Sequence, residues 1–352
     1  MNRSMILRRC PVVLAALLFA CGSVAATTDV LDTPSAMSVR AARQVQLSVV
    51  RAGSRLVSVG ERGIVLLSDD DGRHWRQVKT PVSVALTRVR FVDPENGWAV
   101  GHSGVVLATR DRGETWVRQL DGRQAAKIEL DCALRETGAD SRRTQDAQRL
   151  VRDGADKPLL DVYFRDAQHG MVVGAYGMAF RTDDGGSTWQ SMMGRLAAGD
   201  GRHLYAILVN HGVVYLFGEQ GTALASNDQG TTFRRIAFPG KGTIFGAVSA
   251  NGALLAYGLK GNVFRSEDGV DWRRVDLPPM SMMAAITLGE TGVLISDEAG
   301  QLYRSDDSGR HFVLSSRTLP LTDLAQAADG TWIGSSPRGT LRLGNNDREA
   351  AK

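Results

Sequence analysis

Ser68-Asp69-Asp70-Asp71-Gly72-Arg73-His74-Trp75 decides how this chain is read, because its pattern returns five more times. A small hydroxyl residue is followed two positions on by aspartate, then by glycine and a closing aromatic residue. Full copies are Thr109-Arg110-Asp111-Arg112-Gly113-Glu114-Thr115-Trp116 and Thr182-Asp183-Asp184-Gly185-Gly186-Ser187-Thr188-Trp189. Weaker copies occupy residues 226–233, 266–272 (one residue deleted) and 305–312. The opening residues lie 41, 73, 44, 40 and 39 apart. Self-similarity at a period of ~40 residues predicts an all-β ring, a β-propeller, with one four-stranded blade per repeat.

Each residue of the box has a job in a turn. The carboxylates of Asp70, Asp111, Asp184, Asp228, Asp268 and Asp307 can accept from nearby backbone N–H groups. The glycine tolerates positive φ, and aromatics such as Trp75, Trp116, Trp189 and Trp272 can enter the core between blades. The aspartates therefore read as structural staples and not as ligand-binding groups. The motif resembles the Asp-box (BNR) repeats of bacterial neuraminidases. In that family the repeats lie away from the catalytic centre, so the resemblance implies a blade type, of the WD40/YVTN-like kind, and not an activity.

A second register supports a count of seven. Apolar runs joined by glycine-containing turns precede the boxes, most clearly at residues 97–108 and 170–181, and again at 59–67, 217–225, 257–265 and 294–304. A seventh run at 332–343 has no box after it. Residues 42–50 are expected to supply the outer strand of that last blade and so close the ring, protecting otherwise exposed sheet edges. One propeller over residues 27–346 is predicted, with a disordered tail at 347–352. The 73-residue gap between the second and third boxes holds an insertion at 121–158 whose 124–135 and 145–152 stretches are rich in helix formers. It is expected to form a helical hairpin, or a helix and a mobile loop, between blades 2 and 3. Alternation of turns puts it on the face opposite the boxes, and deleting 125–152 is expected to leave the ring folded.

Arg3, Arg8 and Arg9, the apolar residues 11–20 and the small residues 22–26 read as a signal peptide over residues 1–26. Export to the periplasm follows. Leu18-Phe19-Ala20-Cys21 offers the rival, a lipoprotein box with lipidation at Cys21. The chain has 42 basic and 38 acidic residues; a leader carrying three arginines and no acid leaves 39 against 38. That balance gives no basic stripe for nucleic acid. Of three cysteines only Cys132 lies beyond the leader, so no intramolecular disulfide is available.

Signals for catalysis are absent. His74 and His311 stand where other full-length boxes carry threonine, and His102, His169, His203 and His211 are isolated, so neither a metal site nor a cofactor is expected. No serine sits in a nucleophile elbow. Paired carboxylates brought together from distant blades would leave no motif. A glycan-active hydrolase of the sialidase-like class is therefore one competing reading, and a carbohydrate-binding propeller another. The turns between second and third strands present Glu61, Arg62, His102, Tyr176, Glu219, Lys260 and Arg338 on the insertion side, and these are the candidate partner-binding residues.

Asp153-Gly154-Ala155-Asp156-Lys157-Pro158-Leu159-Leu160-Asp161-Val162-Tyr163-Phe164, then Val173-Gly174-Ala175-Tyr176-Gly177 and the third box, resemble the proteobacterial branch of the photosystem II stability and assembly factor family. His203-Leu204-Tyr205-Ala206 and Gly218-Glu219-Gln220-Gly221 fit that branch too. The resemblance implies a seven-bladed propeller on the non-cytoplasmic side of a membrane. It also implies a non-enzymatic monomeric scaffold for a membrane protein complex, either a photosystem-like client or a transporter of the resistance–nodulation–division (RND) type. No nucleic acid and no small-molecule substrate are expected.

Overall fold

The computed structural model describes residues 29–197 and 201–344. The signal peptide, Cys21 and the tail at 347–352 lie outside them. Seven antiparallel sheets form the ring, six of four strands and one of three. Their first strands are Gln46–Ala52, Leu86–Phe91, Leu159–Phe164, Leu204–Asn210, Ile244–Ala250, Met282–Leu288 and Asp323–Gln326. These seven face one another around the centre. Second strands such as Ala253–Gly258 are buried along their whole length, which is why they read as unbroken apolar runs without alternation. Between sheets the core is a series of clusters, for example Trp98, Phe164, Phe180 and Trp189 between blades 2 and 3.

The ring closes differently from expectation. Residues 42–50 do not supply the outer strand of blade 7; Gln46–Ala52 is the inner strand of blade 1, and the seventh sheet has three strands among the described residues. The local reason is a tight turn through Gly53 (φ 65°), which pairs Ala52 with Arg55 and makes Gln46–Ala52 the hairpin partner of Arg55–Gly60. Closure is made by side chains instead: Val49 and Leu56 of blade 1 pack with Ala325, Ala327 and Ile333 of blade 7, and polar bonds fix the inner end. Asp323 on blade 7 accepts from the Ser48 hydroxyl (2.7 Å) and the Val49 amide (3.2 Å) of blade 1, and Thr322 Oγ1 donates to the Gln46 carbonyl (2.7 Å). Arg88 of blade 2 donates to the same Asp323 carboxylate (2.9 Å). Asp161 of blade 3 lies 3.5 Å from Arg88 Nε, near enough to pair charge without a hydrogen bond. Burial opposes the guanidinium charge, yet Asp323 and Asp161 outweigh it and hold the Arg88 pKa above the ordinary arginine value.

In the boxes the buried hydroxyl is the hub. Ser68 Oγ donates to Asp70 (2.9 Å) and accepts from the Gly72 amide (2.9 Å), while Asp70 accepts from the His74 amide (2.9 Å). The same triangle recurs at Thr109–Asp111–Gly113, Thr182–Asp184–Gly186, Ser226–Asp228–Gly230, Ser266–Asp268–Gly269 and Ser305–Asp307–Gly309. His74 and His311 bond the second carboxylate oxygen (2.6 Å each), the place Thr115, Thr188 and Thr232 take elsewhere. Trp116, Trp189 and Trp272 are buried and Trp75 half-buried.

Asp111→Ala and Asp184→Ala should each lower stability by about 1–3 kcal/mol, since each strands turn N–H groups. Urea unfolding with unchanged midpoints would contradict this. Asp323→Ala, which leaves the buried Arg88 with one carboxylate, should cost about 3 kcal/mol. The His74 amide, the Thr188 hydroxyl and the Ser226 hydroxyl are the leading causes that hold Asp70, Asp184 and Asp228, respectively, below the usual carboxylate range. Stability from them is complete above about pH 4 and is lost as pH falls through the depressed folded values. A melting temperature that declines between pH 7 and 5 on their account, tested by Asp184→Asn, would oppose this.

Candidate partner-binding face

The insertion is two packed helices, α1 (Gly122–Thr137) and α2 (Arg142–Asp153). A capping box starts α1: Asp121 accepts from the Arg123 and Gln124 amides and the Gln124 side chain accepts from the Asp121 amide. Ser141 caps α2 through the Thr144 amide (3.1 Å). Glu129 of α1, 1 % exposed, ties the pair together. Arg143 of α2 grips it at 2.8 and 3.1 Å, and the Ser191 hydroxyl on the outer strand of blade 3 bonds it from below. Those bonds to Glu129, against the opposing effect of burial, raise the Arg143 pKa above the ordinary arginine value. Burial pushes the neighbouring Cys132 thiol up.

This anchoring argues against the expectation that deleting 125–152 leaves the ring folded. Ala125 packs into the cluster with Trp98, Leu159, Met178 and Phe180, so removing α1 would bare core residues of blades 2 and 3. The helices also adjoin the turn at His102–Gly104: a Cβ on Gly104 would lie 2.6 Å from Gly122 Cα. Insertion and second-to-third-strand turns therefore share one face.

Those turns are alike in shape. Glu61–Gly63, His102–Gly104, Ala175–Gly177, Glu219–Gly221 and Leu259–Gly261 each make a single 3₁₀ turn whose middle residue is left-handed: Arg62 (φ 55°), Ser103 (57°), Tyr176 (57°), Gln220 (52°) and Lys260 (55°). Each turn is pinned by its first amide to the carbonyl just before the blade's first strand, as in Glu61 N to Val45 O (3.2 Å) and Ala175 N to Pro158 O (3.0 Å). Glu61, Arg62, His102, Tyr176, Lys260 and Arg338 are exposed and Glu219 is half-buried.

The structure brings only two of these seven together. Tyr176 lies 5.0 Å from His203 between ring centroids, and His203 Nδ1 is 2.9 Å from Glu219 Oε2. Of the other five, Glu61 and Arg62 are neighbours only because they share one turn, and His102, Lys260 and Arg338 stand singly around the rim. The row continues inward, from His203 to Tyr205 (6.3 Å) and from Tyr205 to Phe245 (5.8 Å). Lys157 Nζ stands 5.2 Å from the Tyr176 ring. Tyr205 and Phe245 are extra residues at β-bulges, where the register between first and second strands slips at Leu204/Ala206 and Ile244/Gly246. Leu47, Thr87, Leu160 and Met283 stand at the same slip in other blades. Each such residue escapes pairing near the insertion-face end of an innermost strand. Sequence reasoning set His203 aside as solitary and missed Tyr205 and Phe245. Their signal was an apolar residue breaking alternation three or four positions after a blade crossing.

The inner-strand carboxylates Asp161 and Asp323 are committed to Arg88 and to the Ile207 and Val49 amides (2.8 and 3.2 Å). Neither is a free acid or base for glycoside chemistry. No three His, Cys, Asp or Glu side chains converge on a metal-sized site among the described residues.

Comparison with known proteins places these features. A family model described as Photosynthesis system II assembly factor YCF48 matches residues 50–134 and 142–274. The chain is 34% identical over 96 residues to the chloroplastic photosystem II stability/assembly factor HCF136 of Cyanidioschyzon merolae, covering 26% of this chain and 22% of that one. It is 31% identical over 114 residues to the photosystem II assembly lipoprotein Ycf48 of Synechococcus sp. (strain CC9902), covering 31% and 34%. These stretches span about a fifth to a third of the curated relatives' length. Among solved structures, YCF48 bound to D1 peptide superposes with a TM-score of 0.62 at 14% identity, covering 89% of this chain and 97% of that one. The WD40 propeller domain of Doa1 gives 0.62 at 11%, covering 90% and 96%. At such identities the likeness is one of fold.

Because Glu129 is buried and bonded by both Arg143 and Ser191, Glu129→Ala should leave Arg143 with Glu136 as its remaining carboxylate (2.5 Å) and the Ser191 hydroxyl without its acceptor, and cost about 3 kcal/mol. Deleting 125–152 should lower the melting temperature of the whole ring. A deletion variant that melts like the parent would show the cover over Met178 and Phe180 to be unimportant.

Proposed function

The chain belongs to the photosystem II assembly-factor family typified by Ycf48, and from that premise we propose that it is a non-enzymatic, exported scaffold that binds an extramembrane segment of a membrane protein complex. The carrying observation is the aromatic row Tyr176–His203–Tyr205–Phe245 on the insertion face. Exposed or half-exposed aromatics held by a rigid turn and by strand bulges provide large contact area at little entropic cost, as interface anchors do.

The path of the amino-terminal segment supports the same face. Asp29 pairs with Arg123 at the start of α1, Ser83 donates to the Val30 carbonyl (2.8 Å), and Leu31 is buried against blades 1 and 2. The segment thus enters beside the insertion. Were Cys21 acylated, seven residues would separate it from Asp29, a span of at most about 28 Å of extended chain. A lipid anchor would hold the ring with its aromatic face toward the bilayer. Curated relatives include lipoproteins, which favours this arrangement over a free periplasmic protein.

The finer choice of client falls to an inner-membrane transporter of the RND type over a photosystem, following the resemblance to the proteobacterial branch. Crosslinking in native membranes followed by identification of the captured chains tests it. A Tyr176→Ala/Tyr205→Ala variant that melts normally should recover the client in yield reduced about tenfold. Undiminished capture would move recognition off this face. Mass spectrometry of the mature amino terminus should find acylated Cys21; a free Thr27 would remove the anchor while leaving the scaffold reading intact.

A further inference from the structure

On the opposite face, where the boxes lie, side chains of one blade close the cleft to the next. Arg55 reaches the Arg112 carbonyl (3.1 Å) and Glu114 (2.7 Å). Arg110 stacks 4.4 Å over Trp98 and donates to the Gly185 carbonyl (2.8 Å). Between blades 4 and 5 the Tyr215 ring fills the space beneath Gly269; between 5 and 6 Arg265 donates to the Ser308 carbonyl (2.7 Å). Arg342 reaches the Asp71 carbonyl (3.1 Å) at the ring closure.

The cleft between blades 3 and 4 is crossed as well, by Arg181 donating to Thr231 Oγ1 (3.1 Å) and by Arg165 to the Gln229 side-chain oxygen, yet it keeps an open volume. A cavity of about 320 Å³ lies there, the scale at which small-molecule sites begin. Register shows one difference from the two flanking blades. The second strands run Gly97-Trp98-Ala99-Val100-Gly101, Gly170-Met171-Val172-Val173-Gly174 and Val214-Tyr215-Leu216-Phe217-Gly218, so Met171 stands where its neighbours carry Trp98 and Tyr215. The rings of Trp98 and Tyr215 fill this position in the two flanking blades, while Val57, Leu255, Leu294 and Ile333 take it in the rest.

The lining indicates what the volume suits. Its cations already face acids: Arg181 pairs with Asp183 (2.6 Å), Arg165 with Asp166 (3.2 Å), and His169 Nδ1 is 2.9 Å from Asp166. With charge paired inside the site, little field remains to hold an ion. Met171, Val209 and Val214 give an apolar floor, and Tyr163 and Asn227 add a phenol and a planar amide, while the Gln229 oxygen is taken by Arg165 and leaves its NH₂ group to donate. An apolar floor edged by planar hydrogen-bonding groups matches a sugar ring, which has one C–H face and a rim of hydroxyls that both donate and accept. We propose that the blade 3–4 cleft on the box face binds a neutral saccharide of one or two rings, independently of client recognition on the other face.

Calorimetric titration of the full mature protein with maltose, cellobiose and N,N′-diacetylchitobiose, with citrate as an anionic comparison, tests this. Saturable binding of at least one disaccharide is expected, in the range of about 1 mM. Met171→Tyr, which restores the residue type of blade 4, should weaken it about tenfold or more. Asn227→Ala, at an exposed rim position, should weaken it several-fold without altering the melting temperature, and carries the test alone if the tyrosine variant does not fold. Absence of binding by all three sugars, binding indifferent to the substitutions, or tighter binding of citrate than of any sugar would each overturn the proposal.

Discussion

A buried hydroxyl that both donates and accepts is the constraint on which this ring depends. In all six boxes the opening Ser or Thr is at most 2 % exposed, gives its proton to the aspartate and takes the glycine amide. A buried amide without a partner is costly, and the carboxylate alone is placed to serve the later amides of the turn. The hydroxyl therefore fixes the start of the turn and the aspartate its end. Since the box joins the third and outer strands, this triangle sets where the outer strand begins and where the closing aromatic enters the core.

The boxes also carry order from blade to blade. Their carbonyls accept arginines from the preceding blade at Arg112, Gly185, Ser308 and Asp71, so a turn stabilised within one sheet becomes the acceptor that aligns the next. Blade 7 has no box, and its junction with blade 1 is held by Asp323 at the inner end and, toward the outside, by Arg342 on the Asp71 carbonyl (3.1 Å) and Arg73 on Asp329 (3.2 Å). One aspartate serving Ser48, Val49 and Arg88 performs the closure that a shared sheet was expected to perform. A ring closed by side chains keeps every sheet continuous in sequence.

Much of this fold was legible because boxes recur at fixed spacing and glycine-bounded apolar runs precede them. Seven blades and the helical insertion followed from those two registers. Closure was not legible: Gln46-Leu47-Ser48-Val49-Val50 has strand character, but which sheet takes it depends on the turn at Gly53 and on a partner 275 residues away in sequence. The insertion's anchoring escaped for a similar reason. Glu129 reads as one more polar residue in a polar helix, and only the meeting of α1, α2 and Ser191 shows that it is buried. The candidate face was legible in part: the turn residues were placed on the correct side, yet a sequence lists them singly. It does not show that Tyr176 reaches His203 while Lys260 and Arg338 stand apart.

Bulges explain why the aromatic row could arise without cost to the ring. A residue added at the same point of each first strand is released from the ladder, so its identity is free to vary from Thr87 to Leu160, Tyr205, Phe245 and Met283 while the flanking residues keep their pairing. The box face lacks that freedom, because its turns are used by both the blade that owns them and the blade before. Variation there is confined to what fills a cleft, as in the change from Trp98 to Met171 to Tyr215. One face can thus change its contacts residue by residue around the centre, and the other can change only the depth of a gap between two blades. The first is suited to a broad protein surface, and the second to a small ligand.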